Sequence, residues 1–322
     1  MKMRLVAVAL AACFLAGAHP GGAQARDLAF GGASTAGVYY QVARHLCHLW
    51  GMEESAYRCE ALVTQGSVYN INALAAAELD FAVAQSDRAW QARHGEADWD
   101  GSPVEGLRAL FAMHPETVML VTRQDTDIHT LDDLRGRTVN IGNPGSGQRR
   151  NALDVLRLHG IDPEEDIAAR HVEQTDASRA LVAGRLDAFF YTVGNPSAAI
   201  LDPAAETPLR MIPLDSGEVA AFVEESPFYV PSVIPGGIYA GVPDDVATFA
   251  VTANVVTTAD MDADAAYALT RVAFERLDEL RAGHEAFARL EPEAMVTGVS
   301  IELHPGARRY YEERGLLEPG QE

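Results

Sequence analysis

The sequence predicts an α/β fold of two lobes arranged as a clamshell, with mostly parallel sheets and two extended strands that cross between the lobes. Apolar strands alternate with amphipathic helices along the chain, which is the pattern of parallel sheets covered by helices. An internal repeat indicates two lobes, since residues 74–83 (Leu-Ala-Ala-Ala-Glu-Leu-Asp-Phe-Ala-Val) match residues 181–190 (Leu-Val-Ala-Gly-Arg-Leu-Asp-Ala-Phe-Phe). In each half the order is a turn, a helix, a strand, a second helix and a further strand, so each half is predicted to build one lobe.

A glycine-rich turn opens each half. One turn ends an apolar strand at residues 139–148 (Val-Asn-Ile-Gly-Asn-Pro-Gly-Ser-Gly-Gln), and the other lies at residues 30–37 (Phe-Gly-Gly-Ala-Ser-Thr-Ala-Gly). Glycine lets backbone N–H groups converge, and a helix N-terminus carries about half a positive charge. Such turns suit a carboxylate or a phosphate. We therefore expect the two turns to face each other across a cleft and to hold one small anion.

A turn kept only for a tight bend is the alternative interpretation of these glycines. Hydrogen-bonding side chains at the corresponding strand ends favour a binding site, because a bend alone does not need them: Ser34, Thr35, Gln65, Ser67, Gln85, Ser86, Asn143, Ser146, Tyr191 and Thr192. Ser34 and Ser67 are equally consistent with helix N-caps. Asp80 and Asp187 occupy equivalent places in the repeat and are predicted to be structural.

The order of the elements assigns residues 26–122 and 251–322 to the first lobe and residues 123–250 to the second. Strands near residues 122 and 250 are predicted to cross between the lobes. For the first lobe the patterns predict strands at 27–31, 57–64, 79–84, 107–113 and 117–122, helices at 36–50 and 68–77, and a surface helix and loop at 88–106.

Residues 1–25 are predicted to be a cleaved secretion signal, which would place the mature protein in the periplasm. Lys2 and Arg4 form the charged region, residues 5–18 the apolar region, and residues 23–25 (Ala-Gln-Ala) the cleavage site. A lipoprotein box ending at Cys13 is the alternative, and lipidation there would tether the protein to a membrane. No other apolar run approaches the ~20 residues that a bilayer span needs.

Composition and motifs exclude several classes of function. The 322 residues are 48% hydrophobic, which is ample for a core, and the net charge of −21 repels nucleic acids and anionic lipids. Residues 142–149 nearly match the nucleotide P-loop but lack its lysine and its Ser or Thr. Gly145-Ser146-Gly147 lacks the form of a nucleophile elbow. We therefore predict a binding protein with no catalytic residues, no cofactor and no metal.

Two cysteines follow the predicted signal. Cys47 and Cys59 are twelve residues apart, and in an oxidising compartment such a pair most simply forms a disulfide. A metal site that also uses His45 and His48 is the alternative.

Several segments together resemble the TAXI (TRAP-associated extracytoplasmic immunogenic) solute receptors of tripartite transporters. They span nearly all of the chain after residue 25: residues 36–40 (Ala-Gly-Val-Tyr-Tyr), 65–74 (Gln-Gly-Ser-Val-Tyr-Asn-Ile-Asn-Ala-Leu), 78–87 (Glu-Leu-Asp-Phe-Ala-Val-Ala-Gln-Ser-Asp), 114–122 (His-Pro-Glu-Thr-Val-Met-Leu-Val-Thr), 139–148, 187–194 (Asp-Ala-Phe-Phe-Tyr-Thr-Val-Gly) and 303–306 (Leu-His-Pro-Gly). Two departures are Ala33-Ser34, where members often carry more glycine, and Asn195, where a histidine is common.

The resemblance implies a type II periplasmic-binding fold and delivery of a small carboxylate to a TRAP permease. We expect the protein to be a monomer. Glutamate-like amino acids and C5 dicarboxylates are the ligands it implies. Carried over by position, the ligand-binding residues are Ser34, Thr35, Tyr39, Gln65, Ser67, Asn70, Gln85, Asn143, Gly145, Ser146, Gln148 and Tyr191. A sensor subunit or an enzyme on the same fold is the alternative function.

Overall fold

The structure, a computed structural model, describes residues 25–53, 56–318 and 320. Residues 1–24 of the predicted signal, Cys13 among them, lie outside the described residues. The strands are β1 (Arg26–Gly31), β2 (Tyr57–Leu62), β3 (Phe81–Gln85), β4 (Leu107–Arg123), β5 (Thr138–Asn140), β6 (Ala168–Arg170), β7 (Ala188–Val193), β8 (Leu209–Ile212), β9 (Val230–Ile234) and β10 (Val246–Thr258). The helices are α1 (Val38–Glu53), α2 (Ser67–Ala75), α3 (Ser86–His94), α4 (Gly147–Leu158), α5 (Gln174–Val182), α6 (Ala198–Glu206), α7 (Gly217–Glu225), α8 (Ala263–Glu275), α9 (Leu277–Gly283), α10 (Pro292–Thr297) and α11 (Pro305–Arg314).

These strands form one sheet in the order β2-β1-β3-β10-β4-β7-β5-β6, with β8 beside β4 and β9 beside β10. Strands β1 to β3 run parallel to each other, and so do β5 to β7. The long strands β4 and β10 are antiparallel and lie between the two parallel sets. Phe30, Phe111 and Phe189 are among the buried side chains of the core that covers the sheet. The predicted α/β class and its two crossing strands are confirmed.

Strand β4 differs from its prediction, because it continues through Pro115 where the sequence predicted two separate strands. The register between β4 and β10 shifts beside this proline, between Thr252 and Asn254. The N–H of Thr252 donates to the Ser86 hydroxyl, 3.0 Å away. Proline has no N–H to give to a ladder and is tolerated at such an irregularity.

The two halves of the repeat fold alike, as β1-α1-β2-α2-β3 and β5-α4-β6-α5-β7. Asp80 Oδ2 accepts the N–H of Ala29 at 2.8 Å, and Asp187 Oδ2 accepts the N–H of Thr138 at 2.8 Å. Each aspartate therefore ties the last strand of its half to the first. The structural role predicted for both residues is confirmed.

Helix α1 begins at Val38 and continues past Gly51 to Glu53, so it is longer at its C-terminal end than predicted. Cys47 of this helix and Cys59 of β2 form a disulfide with their Cα atoms 5.0 Å apart. The predicted pairing is confirmed, and the bonded sulfurs leave no thiolate for the alternative metal site. Among the described residues, no helix combines the length and apolar character of a membrane span.

Helix α3 is not the surface helix that the sequence predicted. It begins at Ser86, directly after β3, and Asp87 and Arg88 in its first turn are fully buried. Their side chains pair with each other at 2.8 Å, which is how two charges are accommodated in the interior. The polar composition of the segment predicted exposure because sequence reasoning did not anticipate that two of its charged residues pair with each other in the interior.

Candidate functional site

A cavity of about 70 Å³ lies where the carboxyl ends of both parallel strand sets meet. This is the usual ligand position in open α/β sheets. Nine of the twelve residues predicted to bind ligand line it: Ser34, Tyr39, Gln65, Ser67, Gln85, Asn143, Ser146, Gln148 and Tyr191. The lining also includes Thr192, one of the strand-end residues that favoured a binding site, and residues that were not predicted to bind ligand, among them Glu116, Gly147, Glu173 and Gln174.

Three predicted residues are not in the cavity wall. Asn70 is buried, and its Nδ2 donates to the carbonyls of Gly32 (2.7 Å) and Val83 (2.8 Å), so it joins β1 to β3. Thr35 is exposed on the first turn. Gly145 contributes its carbonyl to contacts between the halves.

The second glycine turn meets α2 across the cleft. The carbonyl of Gly145 accepts the N–H groups of Val68 and Tyr69, each at 3.1 Å, and Asn143 Nδ2 donates to the carbonyl of Gln65 at 3.1 Å. The first turn lines the same cavity through Ser34. Both turns thus border one space as expected, but the direct bonds of the second turn go to residues 65–69.

Helix α4 points its N-terminus at the cavity. Ser146 is its N-cap, and the Oγ atom accepts the N–H of Arg149 at 3.3 Å. Gly147 and Gln148, the first two helical residues, line the cavity. The first N–H groups of a helix have no partner within the helix, and the helix dipole favours an anion there.

A buried polar cluster, which we call the junction network, consists of Asp87, Arg88, Asn151, Asp154 and Tyr229. Asn151 connects it to the cavity wall through hydrogen bonds with Gln85 and Thr192. Asp87 Oδ2 accepts from Asn151 Nδ2 at 2.8 Å and from the Tyr229 hydroxyl at 2.9 Å. Burial opposes the charge of Arg88, but Asp87, Tyr229 and Asp154 together outweigh burial, so the pKa of the guanidinium is raised. The junction network therefore links α3 of the first half to α4 of the second.

The junction network fixes the orientation of Gln85. An ionised carboxylate only accepts hydrogen bonds, so the amide nitrogen of Asn151 faces Asp87 and the amide oxygen faces away. That oxygen accepts from Gln85 Nε2 at 3.0 Å and from the Thr192 hydroxyl at 3.1 Å. The Oε1 atom of Gln85 is left buried without a hydrogen-bond partner.

Glu116 is the buried acid of the cavity wall, and sequence reasoning gave it no role. Its side chain is 2% exposed, and the Tyr39 hydroxyl donates to Oε2 at 2.6 Å. Burial raises the pKa of Glu116 to about 8, with Asp87 adding to the rise and the Tyr39 hydrogen bond opposing it. A charged residue within the apolar strand at 107–123 was the available signal.

Asn195, noted as a departure from the family pattern, is not among the residues that line the cavity. Its side chain contacts Thr117 at 2.5 Å and accepts the Tyr239 hydroxyl at 2.5 Å. A direct contact between Asn195 and a molecule bound in the cavity is therefore not expected. Among the described residues no group of three or more His, Cys, Asp or Glu side chains is arranged to hold a metal ion.

The fold is that of type II periplasmic binding proteins. Residues 30–315 match the NMT1-like family, and the chain belongs to that family. A Streptococcus mutans protein described with glutathione import via GshT and the cystine ABC importer TcyBC is similar in structure (TM-score 0.52, 11% identity, 82% of this chain and 95% of that chain). A putative L-cystine ABC transporter protein from Listeria monocytogenes is also similar (TM-score 0.51, 12% identity, 81% and 95%). The alkanesulfonate-binding protein SsuA from Xanthomonas axonopodis pv. citri gives a TM-score of 0.48 at 16% identity over 92% of this chain and 82% of that chain.

Proposed function

We propose that the chain is the extracytoplasmic solute receptor of a TRAP-type transporter, of the TAXI group, and that it binds a small carboxylate in the cavity. A glutamate-like amino acid or a C5 dicarboxylate is the proposed ligand class. The observation that carries the proposal is the convergence of the α4 N-terminus with neutral amide and hydroxyl side chains on one cavity. Such groups hold a carboxylate without a fixed cation.

Binding would work by closure of two lobes, residues 26–122 with 251–322 and residues 123–250. A ligand that first contacts one lobe gains contacts from the other on closing, so it shifts the population towards the closed form. Strands β4 and β10 run through both halves and are the proposed hinge. The closed form would be recognised by the permease, and the predicted signal at residues 1–25 would place the receptor in the periplasm. The proposal includes no catalytic step.

A titration of two cavity variants tests the ligand site. Asn143→Ala and Gln65→Ala are expected to weaken carboxylate binding at least tenfold, because each removes a polar group from the cavity wall. Isothermal titration calorimetry measures the affinity, and thermal unfolding without ligand checks that the fold is kept. Wild-type affinity in both variants would remove these residues from the site. Failure of every small carboxylate to raise the melting temperature of the wild type would contradict the receptor itself.

A further inference from the structure

The cavity wall is richer in hydrogen-bond acceptors than a site for a bare anion requires. Among its described lining residues none is Lys, Arg or His, whereas Glu116 and Glu173 are both present. Gln85 and Gln174 also line it, and the Oε1 atom of each is buried without a partner. An unpaired buried acceptor is costly unless a donor reaches it. The cavity wall is therefore complementary to a ligand that carries N–H donors.

The orientations of both amides are set by their partners. Asp87 orients Asn151, which in turn orients Gln85 with its oxygen free, as described above. Gln174 Nε2 donates to Ser178 Oγ at 3.3 Å, and Ser178 Oγ donates to the carbonyl of Ala199 at 2.7 Å. Because the Ser178 proton is already used, Gln174 must present its nitrogen to Ser178. Its oxygen is consequently the atom left over.

Glu116 has no cationic partner among the residues that the structure describes. None of the ion pairs between described residues includes this carboxyl, and its described hydrogen bond comes from the neutral hydroxyl of Tyr39. The nearby acid Asp87 is already paired with Arg88 at 2.8 Å. A positive group in the cavity would meet Glu116 without competition from a protein cation.

We propose that the ligand carries a protonated amino group beside its carboxylate, and that Glu116 is the residue that binds this group and selects for it. The carboxylate would lie at the N-terminus of α4, and the ammonium would lie against Glu116 with the free oxygens of Gln85 and Gln174 as further acceptors. This inference rests on the proposed carboxylate receptor and narrows its ligands to α-amino acids. Dicarboxylates and 2-oxo acids, which lack the ammonium, would leave the acceptors unpaired.

Proton release distinguishes this role from the opposite one, in which a protonated Glu116 donates to the carboxylate of the ligand. Glu116 is largely protonated at pH 7 in the empty protein because burial raises its pKa to about 8. Binding of an ammonium requires the ionised form, so one proton leaves for each ligand bound. Affinity then rises about tenfold per pH unit between pH 6 and 7.5. If Glu116 donated instead, affinity would fall above pH 8.

The experiment compares amino acids with the 2-oxo acids of the same carbon skeleton, by calorimetric titration of the wild type, Glu116→Gln and Glu78→Gln. Glutamine has the shape of a protonated glutamate and can still accept from Tyr39, so the fold is expected to persist. Glu78 is exposed and gives the same chemical change outside the cavity. We expect an amino acid to bind the wild type and its 2-oxo partner to bind at least a hundredfold more weakly. Glu116→Gln should lose at least tenfold in affinity for the amino acid, and Glu78→Gln should lose nothing.

Three results would overturn the inference while the receptor stands: equal binding of the 2-oxo acid, full amino-acid affinity in Glu116→Gln, or proton uptake on binding. Proton release is read from binding heats in buffers of different ionisation enthalpy. Binding of neither ligand class would contradict the carboxylate receptor, and this inference with it.

Discussion

Gly147 of the second half packs directly against Gln85 and Ser67 of the first half. A Cβ atom there would be 1.7 Å from Gln85 Oε1 and 3.0 Å from Ser67 Oγ, so the observed closure admits a hydrogen atom and no methyl group. Gly217 offers a matched comparison, since it also follows a serine N-cap as the first residue of a helix and has nothing within 4 Å of a Cβ.

Gly147→Ala is expected to weaken ligand binding at least tenfold, because the added methyl group would clash with Gln85 and prevent the cleft from closing. The unliganded variant is expected to remain folded. Gly217→Ala should bind as the wild type does. Calorimetry gives both affinities, and small-angle scattering with ligand should show a larger radius of gyration for Gly147→Ala. Equal affinity of the two variants would mean that Gly147 and Gln85 do not meet in the bound state.

Glu116 should make stability depend on pH. The folded protein keeps a proton on this residue up to about pH 8, whereas an unfolded chain releases it near pH 4.5. A raised carboxyl pKa means that stability falls as pH rises through this window, by at most roughly 1.4 kcal/mol per pH unit. Glu116→Gln removes the effect, so it should gain stability relative to wild type from pH 5 to 8. Denaturant titrations at several pH values measure the difference, and a constant difference would contradict the buried, uncompensated acid.

At the scale of elements, the disulfide joins α1 to the edge strand β2. The pair closes a short loop, with a sequence separation of 12. Cross-linking a loop of this size restricts the unfolded chain and stabilises the fold by ~2–4 kcal/mol.

Replacing both Cys47 and Cys59 by serine should therefore lower the free energy of unfolding by about that amount. Ligand affinity should change little, because neither cysteine lines the cavity. Denaturant titration of the oxidised protein, the reduced protein and the variant provides the comparison. If reduction leaves the transition midpoint where it was, the bond contributes nothing to stability.

The whole molecule is held in its observed arrangement by bonds between its halves, and the junction network supplies the most buried of them. Asn151 is fully buried and bonds Asp87 and Gln85 of the first half and Thr192 of the second. Loss of a hydrogen bond to a buried charged group costs about 1.5–3 kcal/mol.

Asn151→Ala should thus destabilise the protein by at least that cost and shift the unliganded population towards an open form. Thermal unfolding tests the first effect, and the radius of gyration in solution tests the second. An unchanged radius of gyration together with a wild-type melting temperature would show that the halves do not depend on this residue.

Site residues could be predicted from the sequence where they lie next to a recognisable local pattern, and not where they lie inside a regular strand or helix. Ser34, Gln65 and Asn143 stand beside glycine turns at strand ends, where the local pattern marks them. Glu116 stands inside a strand, where its charge among apolar residues is the one local signal, and Gln174 begins an ordinary helix with no glycine turn beside it. Asn70 matched a family segment, yet it bonds the carbonyls of Gly32 and Val83, because a side chain one helical turn from a cleft can also point into the sheet.

The sequence by itself determined the alternation of strands and helices, the repeat with its paired aspartates, the disulfide and the two turns. These features rest on local periodicity, glycine conformation and cysteine spacing, which act over short stretches of chain. The tertiary structure alone decided that Asp87 and Arg88 are buried, that the second turn bonds to α2, and that a carboxyl group faces the cavity. Those outcomes depend on the pairing of β4 and β10 with strands far away in sequence, and the pairing sets the dielectric and the partners of each polar group.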